Sequence, residues 1–264
     1  MINSVLKAID LLAVFTQEEP RLTLAEISRR LDTPKSTTHH LLATLLSRGF
    51  VEKVDAEHYA LGTALIALSQ PVRVNVEVRD RAAPLVRELA DTCRESVYLT
   101  VLDGDYSLYI YAVESPQRLL ARSAIGDRAP LHCTSVGKAT MALLPSDRVR
   151  EIVARVGLPA FTIHTITDPA VLAAELEQIQ ARGFALDIEE HEIGTFCIAA
   201  PIRDERGRVL GAVSVSGADM EIVRGRSGRL STLVVQTAQE ISRRMGYVPA
   251  SPSLVAAPLT LTVR

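Results

Sequence analysis

Six consecutive residues, Lys35, Ser36, Thr37, Thr38, His39 and His40, place short hydrogen-bond donors and potential cations at the front of a helical segment. Such side chains at a helix N-terminus suit phosphate oxygens and base edges, so the chemistry on offer is non-covalent recognition of duplex DNA. A second group lies near the end of the chain. In VLGAVSVSG (209–217), Ser214 and Ser216 share a parity and leave one face of a strand, while Val213 and Val215 leave the other. Two aligned hydroxyls require partners, either neighbouring backbone groups or a bound small molecule.

The recognition residues need two short helices to hold them. In TLAEISRRLDTPKSTTHHLLATLLSRG (23–49), Thr23 with Glu26 three residues on predicts a capping box, and Ala25, Ile27 and Leu31 give a short apolar stripe. Thr33 and Pro34 repeat the start signal, with proline at the first position of a second helix. Leu41, Leu42, Leu45 and Leu46 bury one face of that helix, and Gly49 supplies a left-handed stop. An amphipathic helix over 5–15 precedes this pair, and two short strands around a turn at 55–57 follow it. Helix, helix, helix, hairpin is the winged arrangement, in which the third helix reads the major groove and the hairpin touches the backbone. Residues 1–70 carry seven Lys and Arg against eight Asp and Glu, whereas 21–53 carry six against three. Basic charge is therefore local to the reading unit, which predicts modest affinity per copy and two or more copies per site.

The whole chain has 264 residues, 47% of them hydrophobic, and a net charge of −2, enough for a sizeable core and two domains. No run approaches eighteen apolar residues, and the first segment carries Asp10 with no small-residue cleavage site, so a cytoplasmic protein is expected, without a membrane partner. Three cysteines, Cys93, Cys133 and Cys197, are odd in number and lack CxxC spacing, against both a disulfide framework and a thiolate zinc site. Tryptophan is absent, against a stacking platform for single strands.

Downstream, a connecting helix is predicted over 62–73, interrupted at Pro71, and another over 76–94 with a kink or restart near Ala83 caused by Pro84. The pattern 96–102 and 107–113 alternates at period two around Asp103-Gly104-Asp105, a hairpin signal. A further strand is predicted at 119–125, helices at 137–144, 147–156 and 168–181, strands at 184–189, 195–202 and 208–216, and a last helix at 229–245. This segregated order predicts an α+β sensor on a mostly antiparallel sheet. Residues 249–264 read as a disordered tail.

Three blocks in order, PKSTTHHLLATLLSRGFVEK, PLHCTSVGKATMALL and RGFALDIEEHEIGTFCIAAPIRDERGRVLGAVSVSG, resemble the IclR family of bacterial transcriptional regulators, over about residues 4–247. The resemblance implies an α+β chain of four parts. These are a winged helix-turn-helix at 1–62, a linker helix at 63–79, a GAF-like effector-binding domain at 80–248 and the tail. It also implies a homodimer or homotetramer on near-palindromic double-stranded operator DNA, associated with the nucleoid when bound, acting more as repressor than activator. No cofactor and no catalytic residue are implied. The family's small-molecule contacts fall on Ser135, Val136, Asp187, Cys197, Ser214 and Ser216, suited to a compact ligand such as an organic acid or aromatic catabolite. The chain departs from the family pattern in two places: His40 stands where an arginine is common and Thr38 where an apolar residue is common. A largely neutral histidine makes a weaker phosphate or guanine contact than a guanidinium.

Other readings compete at single positions. Cys197, between Phe196 and Ile198, also fits a small buried hydrophobe. Asp187, between Leu186 and Ile188, can accept from a ligand hydroxyl or from backbone donors. Lys138 fits a strand-end cap, a carboxylate partner or an exposed helix lysine. His132, Cys133 and His191 lack any standard metal spacing, and no metal is expected. An enzyme built on His132, Cys133, Cys197 and Asp187 would need a nucleophile with an oriented base, yet no GxSxG elbow, P-loop or nucleotide fingerprint occurs. A protein-binding dimerisation module is the third reading.

Overall fold

The computed structural model describes residues 1–16, 18–72, 74–115 and 125–249. Of the predicted strand at 119–125 only Ile125 is described, in a turn, and most of the predicted tail lies outside the described residues. The chain divides into two compact units, one spanning Met1–Asn75 and the other beginning at Val76.

The first unit contains α1 (Asn3–Ala13), β1 (Leu22–Thr23), α2 (Leu24–Arg30), α3 (Lys35–Ser47), β2 (Val51–Lys53), β3 (His58–Leu61) and α4 (Ala64–Ser69). The capping box forms as its spacing requires: Glu26 N donates to Thr23 Oγ1 at 3.3 Å, and Thr23 N donates to Glu26 Oε2 at 2.8 Å. Leu11, Leu22, Ile27, Leu42 and Val51 are buried together as the core. Ala25 is exposed, contrary to its predicted place in the stripe. The helix starts at Leu24, so 24, 27 and 31 share a face and Leu24 packs instead. Pro34 stands one position earlier than predicted, as the N-cap of α3, and Thr33 Oγ1 turns away to donate to Leu31 O at 3.0 Å. Gly49, at φ +71, ends α3 in the left-handed region that a side chain would resist. β3 lies between β1 and β2 in an antiparallel sheet, β1 being an element the sequence reading lacked.

A π-helical turn (Asn75–Arg79) spans the boundary and runs into α5 (Asp80–Cys93) of the second unit. No restart occurs near Ala83. Pro84 cannot donate to the carbonyl of residue 80, and the change from π to α geometry falls there, one turn earlier than expected. Then follow β4 (Ser96–Asp103), β5 (Tyr106–Val113), β6 (Arg128–Pro130), α6 (Ser135–Met141), α7 (Ser146–Val156), α8 (Pro169–Arg182), β7 (Ala185–Ile188), β8 (Phe196–Arg203), β9 (Val209–Gly217) and α9 (Ser227–Arg244).

Among the described residues the strands form one antiparallel sheet in the order β6-β5-β4-β9-β8-β7. Strand alternation assigns its two faces. Val213, Val215 and Ile198 point to one side, the side of α5 and α9, while Ala185, Ala199 and Ala212 point to the other and bury against Val136 and Ala139 of α6. Three alanines in the sheet let α6 approach closely, with Ile152 of α7 and Leu172, Leu176 and Ile179 of α8 packed over it. Gly137 is required by a different close approach: a Cβ there would meet the carbonyl oxygen of Leu131, in the loop that leads into α6, at 2.4 Å.

Candidate functional site

Helix α3 presents four of the six predicted recognition residues to solvent: Lys35, Ser36, His39 and His40 are exposed. Thr37 is half-buried, and Thr38 is wholly buried, with its Oγ1 donating to Pro34 O at 3.2 Å. The outward placement of Thr38 is thus corrected. Positions 38, 41, 42 and 45 fall on one helical face, so Thr38 belongs to the stripe that holds α3 against the core. The β2–β3 hairpin that follows is pinned by Asp55, whose Oδ1 accepts Glu57 N and His58 N, each at 2.9 Å. Those donors hold the Asp55 carboxyl down at about 2. Arg30 is committed to Glu19 at 2.7 Å, whereas Lys35 and Lys53 are exposed.

In the second unit the predicted effector residues come together. Ser135, Val136, Asp187, Cys197, Ser214 and Ser216 all line one cavity of about 70 Å³. Sheet register explains the convergence. Asp187 pairs with Cys197 across β7–β8, Cys197 with Ser216 across β8–β9, and Ser216 with Ser96 across β9–β4, so four polar side chains stand in one rung on one face. Ser214 stands in the next rung opposite Tyr98. Thr134 caps α6 by accepting Gly137 N at 3.1 Å, which aims Ser135 and Val136 at the same face. Tyr98 closes the floor, edge-on to Tyr109 at 5.6 Å between ring centres, and donates to Glu114 Oε2 at 3.1 Å.

The cavity wall carries unusual charge. Asp187 is buried, and its Oδ1 accepts Glu190 N at 2.9 Å. Burial, with the nearby Glu190 charge, pushes its carboxyl up to about 7, so near neutrality it can donate as well as accept. His191, another lining residue, is held below the ordinary histidine range by burial. Lys138 is wholly buried rather than exposed, and its Nζ donates to Glu190 Oε1 at 2.5 Å. Glu175 lies 3.7 Å from the same Nζ and pairs with Arg182 at 2.8 Å. Burial raises the Glu190 carboxyl and Lys138 opposes that rise.

Comparison with known proteins decides between the competing readings. The family model described as "Bacterial transcriptional regulator IclR C-terminal" matches residues 70–243, and the "IclR helix-turn-helix domain" matches residues 4–55. The chain belongs to the IclR family. It is 35% identical over 242 residues to the HTH-type transcriptional regulator BhcR of Paracoccus denitrificans, covering 91% of this chain and 85% of that protein. The crystal structure of Thermotoga maritima IclR superposes with a TM-score of 0.80 at 31% identity, covering 94% of this chain and 100% of that one. An IclR homologue from Microbacterium hydrocarbonoxydans complexed with 4-hydroxybenzoate shares the fold, with a TM-score of 0.84 at 22% identity over 92% of this chain and 98% of that one.

Several lining residues of this IclR-family site escaped the sequence reading. Tyr98 and Tyr109 sit in the alternating hairpin, and the parity that singled out Ser214 extends to Tyr98 once the β4–β9 pairing is known. Glu192 and Thr195 come from the β7–β8 loop, which has no periodicity to read. The enzyme reading lacks chemistry. The Cys133 thiol is buried and pushed up to about 12, the reverse of an activated nucleophile, and the ring Nε2 of His132 lies 3.0 Å from Pro159 O. Among the described residues no group of three or more His, Cys, Asp and Glu could hold a metal ion, and no helix is long and apolar enough to cross a membrane.

Proposed function

We propose that this IclR-family regulator binds operator DNA through Lys35, Ser36, Thr37, His39 and His40, and that a compact, oxygen-bearing metabolite in the Ser135–Ser214–Ser216 cavity alters that binding. The observation that carries the ligand reading is the convergence of six residues from α6, β7, β8 and β9 on one cavity. At about 70 Å³ the cavity is small beside the roughly 300–1,000 Å³ common for ligand pockets, which favours a small organic acid over an aromatic one. Hydroxyls of Ser135, Ser214 and Ser216 supply directed donors, and a protonated Asp187 adds another. An uncompensated anion is disfavoured while Asp187 is ionised.

Two copies per operator are part of this reading. Ile2, Val5, Leu6 and Ile9 of the α1 region are exposed, and so are Ile66 and Leu68 of α4. A second copy that buries these residues would set the spacing of two recognition helices to one helical repeat, or a multiple of it. Residues 63–79 would carry the ligand signal from the effector domain of 80–248 to the reader of 1–62. Coupling of this kind typically amounts to about 1 to 3 kcal/mol. Ligand-controlled release from DNA in the cytoplasm needs no further surface, which favours a repressor over an activator.

The test is fluorescence anisotropy with the full chain and duplex DNA from just upstream of its own coding region. Binding is expected to be sequence-selective and to weaken steeply with salt. Small carboxylic acids, each added to the complex, are expected to include one that shifts the midpoint. No selective binding at low salt would exclude the DNA-reading function. Selective binding unresponsive to every acid, with unchanged thermal melting, would exclude this ligand class.

A further inference from the structure

Lysine is rarely buried, yet Lys138 is the bulkiest of the fully buried side chains. Its partner Glu190 lies 52 residues away, inside the β7–β8 loop. That loop also supplies His191, Glu192 and Thr195 to the cavity, and the strands it joins supply Asp187 and Cys197. Segment 189–195 is thus a cover over the cavity, and Lys138, three residues past Ser135 on α6, ties the cover to the helix that forms the opposite wall.

The cover holds a strained shape. Glu189 has φ +60, in the left-handed region that a residue with a side chain resists, and Gly194 has φ +77. Glu189 N donates to Thr195 O at 3.0 Å, Gly194 N to Glu189 Oε1 at 2.8 Å and Glu190 N to Asp187 Oδ1 at 2.9 Å. From outside, Thr162 Oγ1 and Thr165 Oγ1 donate to Glu189 O and Glu190 O, each at 2.6 Å. On the inner side the salt bridge between Lys138 and Glu190 is the strongest tie, being charge-assisted and buried. Glu190 Oε2, by contrast, is buried with no hydrogen-bond partner among the described residues. Oε1 is satisfied by Lys138 in the closed form, whereas the buried Oε2 bears a desolvation cost that exposure to solvent would relieve. The unsatisfied oxygen gains water partners when the pair separates, which offsets part of the cost of opening.

We infer that the Lys138–Glu190 salt bridge is a positioning latch: it holds segment 189–195 closed over the Ser135–Asp187–Cys197 cavity, and a ligand reaches the cavity when the pair separates. This rests on the cavity being the ligand site, but the latch itself can be tested without a ligand. Cys197 lines the cavity, Cys133 is buried beside it, near Asp187, Glu190 and Lys138, and Cys93 is buried on α5, so the reactivity assigned to Cys197 reports the cover.

The experiment follows labelling of the native full chain by 5,5′-dithiobis(2-nitrobenzoate), one thiol at a time. In the wild type Cys197 is expected to react slowly. Glu190→Gln keeps the shape and removes the charge, and is expected to speed one thiol at least about tenfold, a fast phase that an added Cys197→Ser removes. Lys138→Arg, which keeps the charge, and Thr165→Val, which removes an outer tie along with the acceptor of Phe161 N and Thr162 N, are expected to leave Cys197 slow. No acceleration in Glu190→Gln, or equal acceleration of all three thiols, overturns the latch. Should that variant fail to fold, wild-type hydrogen exchange decides. The amides of Glu190, Gly194 and Thr195 are expected to open together with Cys197, and independent openings overturn it. A silent ligand screen alongside these results would count against the ligand site and leave the latch standing.

Discussion

Cys197 and Ser216 face each other directly across the β8–β9 ladder, with Sγ donating to Oγ at 3.1 Å. The contact places part of the polar cavity wall on β8 and β9, two interior strands of the sheet. Replacing Ser214 and Ser216 together by alanine removes two hydroxyls from that wall. Each is expected to cost about 1 kcal/mol of stability. DNA affinity should stay at the wild-type value while the response to a ligand disappears, checked by anisotropy with and without the acid that shifts the wild type. Loss of DNA binding together with the response would assign the two serines to the core alone.

Asp187 sets a pH dependence with a definite sign. Its folded-state pKa of about 7 lies above the ordinary 3.8, so between those values the folded state keeps a proton the unfolded chain has released. Stability contributed by this group is therefore present at low pH and lost as pH rises towards 7. His132 and His191, both held low by burial, act in the opposite sense below 6.5. The clean measurement is a difference. Stability of wild type minus that of Asp187→Asn should fall between pH 5 and pH 8, by an amount on the order of a few kcal/mol. A flat difference would place the Asp187 pKa near its ordinary value.

The recognition helix is testable residue by residue. Lys35→Ala should weaken binding to all sequences and lower the slope of log affinity against log salt by about 0.9, the value for one phosphate. His40→Arg restores a guanidinium at an exposed position and should tighten binding with altered operator preference. Thr38→Val should change DNA affinity by no more than about threefold, roughly 0.6 kcal/mol, because the side chain faces the core. A large loss in Thr38→Val with unchanged melting would return that residue to the interface.

How much of this was legible in the sequence depends on the range of the interaction. Thr23 and Glu26 are three residues apart, and their capping box reads directly from spacing. Ser214 and Ser216 are two apart, and parity alone gave their shared face. Thr38 was misplaced because a single polar residue in an apolar stripe looks like a surface residue when its neighbours 35–40 are also polar. The Asp187–Cys197–Ser216–Ser96 rung needs the register of four strands, which no local pattern contains. Glu190 was missed for the same reason: only the folded sheet brings it to Lys138.

That buried pair yields a last prediction, on stability. Lys138→Met leaves the Glu190 carboxylate buried opposite an apolar tip, since Glu175 already pairs with Arg182 at 2.8 Å. Breaking one side of a buried ion pair costs about 3 to 5 kcal/mol. The double substitution Lys138→Met with Glu190→Met removes both charges and the desolvation they require, so it should recover most of that loss. Five of the six tyrosines lie in the second unit, at 98, 106, 109, 111 and 247, so urea unfolding followed by tyrosine fluorescence reports mainly this domain. Recovery in the double variant would show that the charges are retained for positioning rather than for stability, since an apolar pair of similar size would hold the fold as well. A double variant as unstable as Lys138→Met would instead make the ion pair a net stabilising contact, and the hydrogen bond at 2.5 Å the reason.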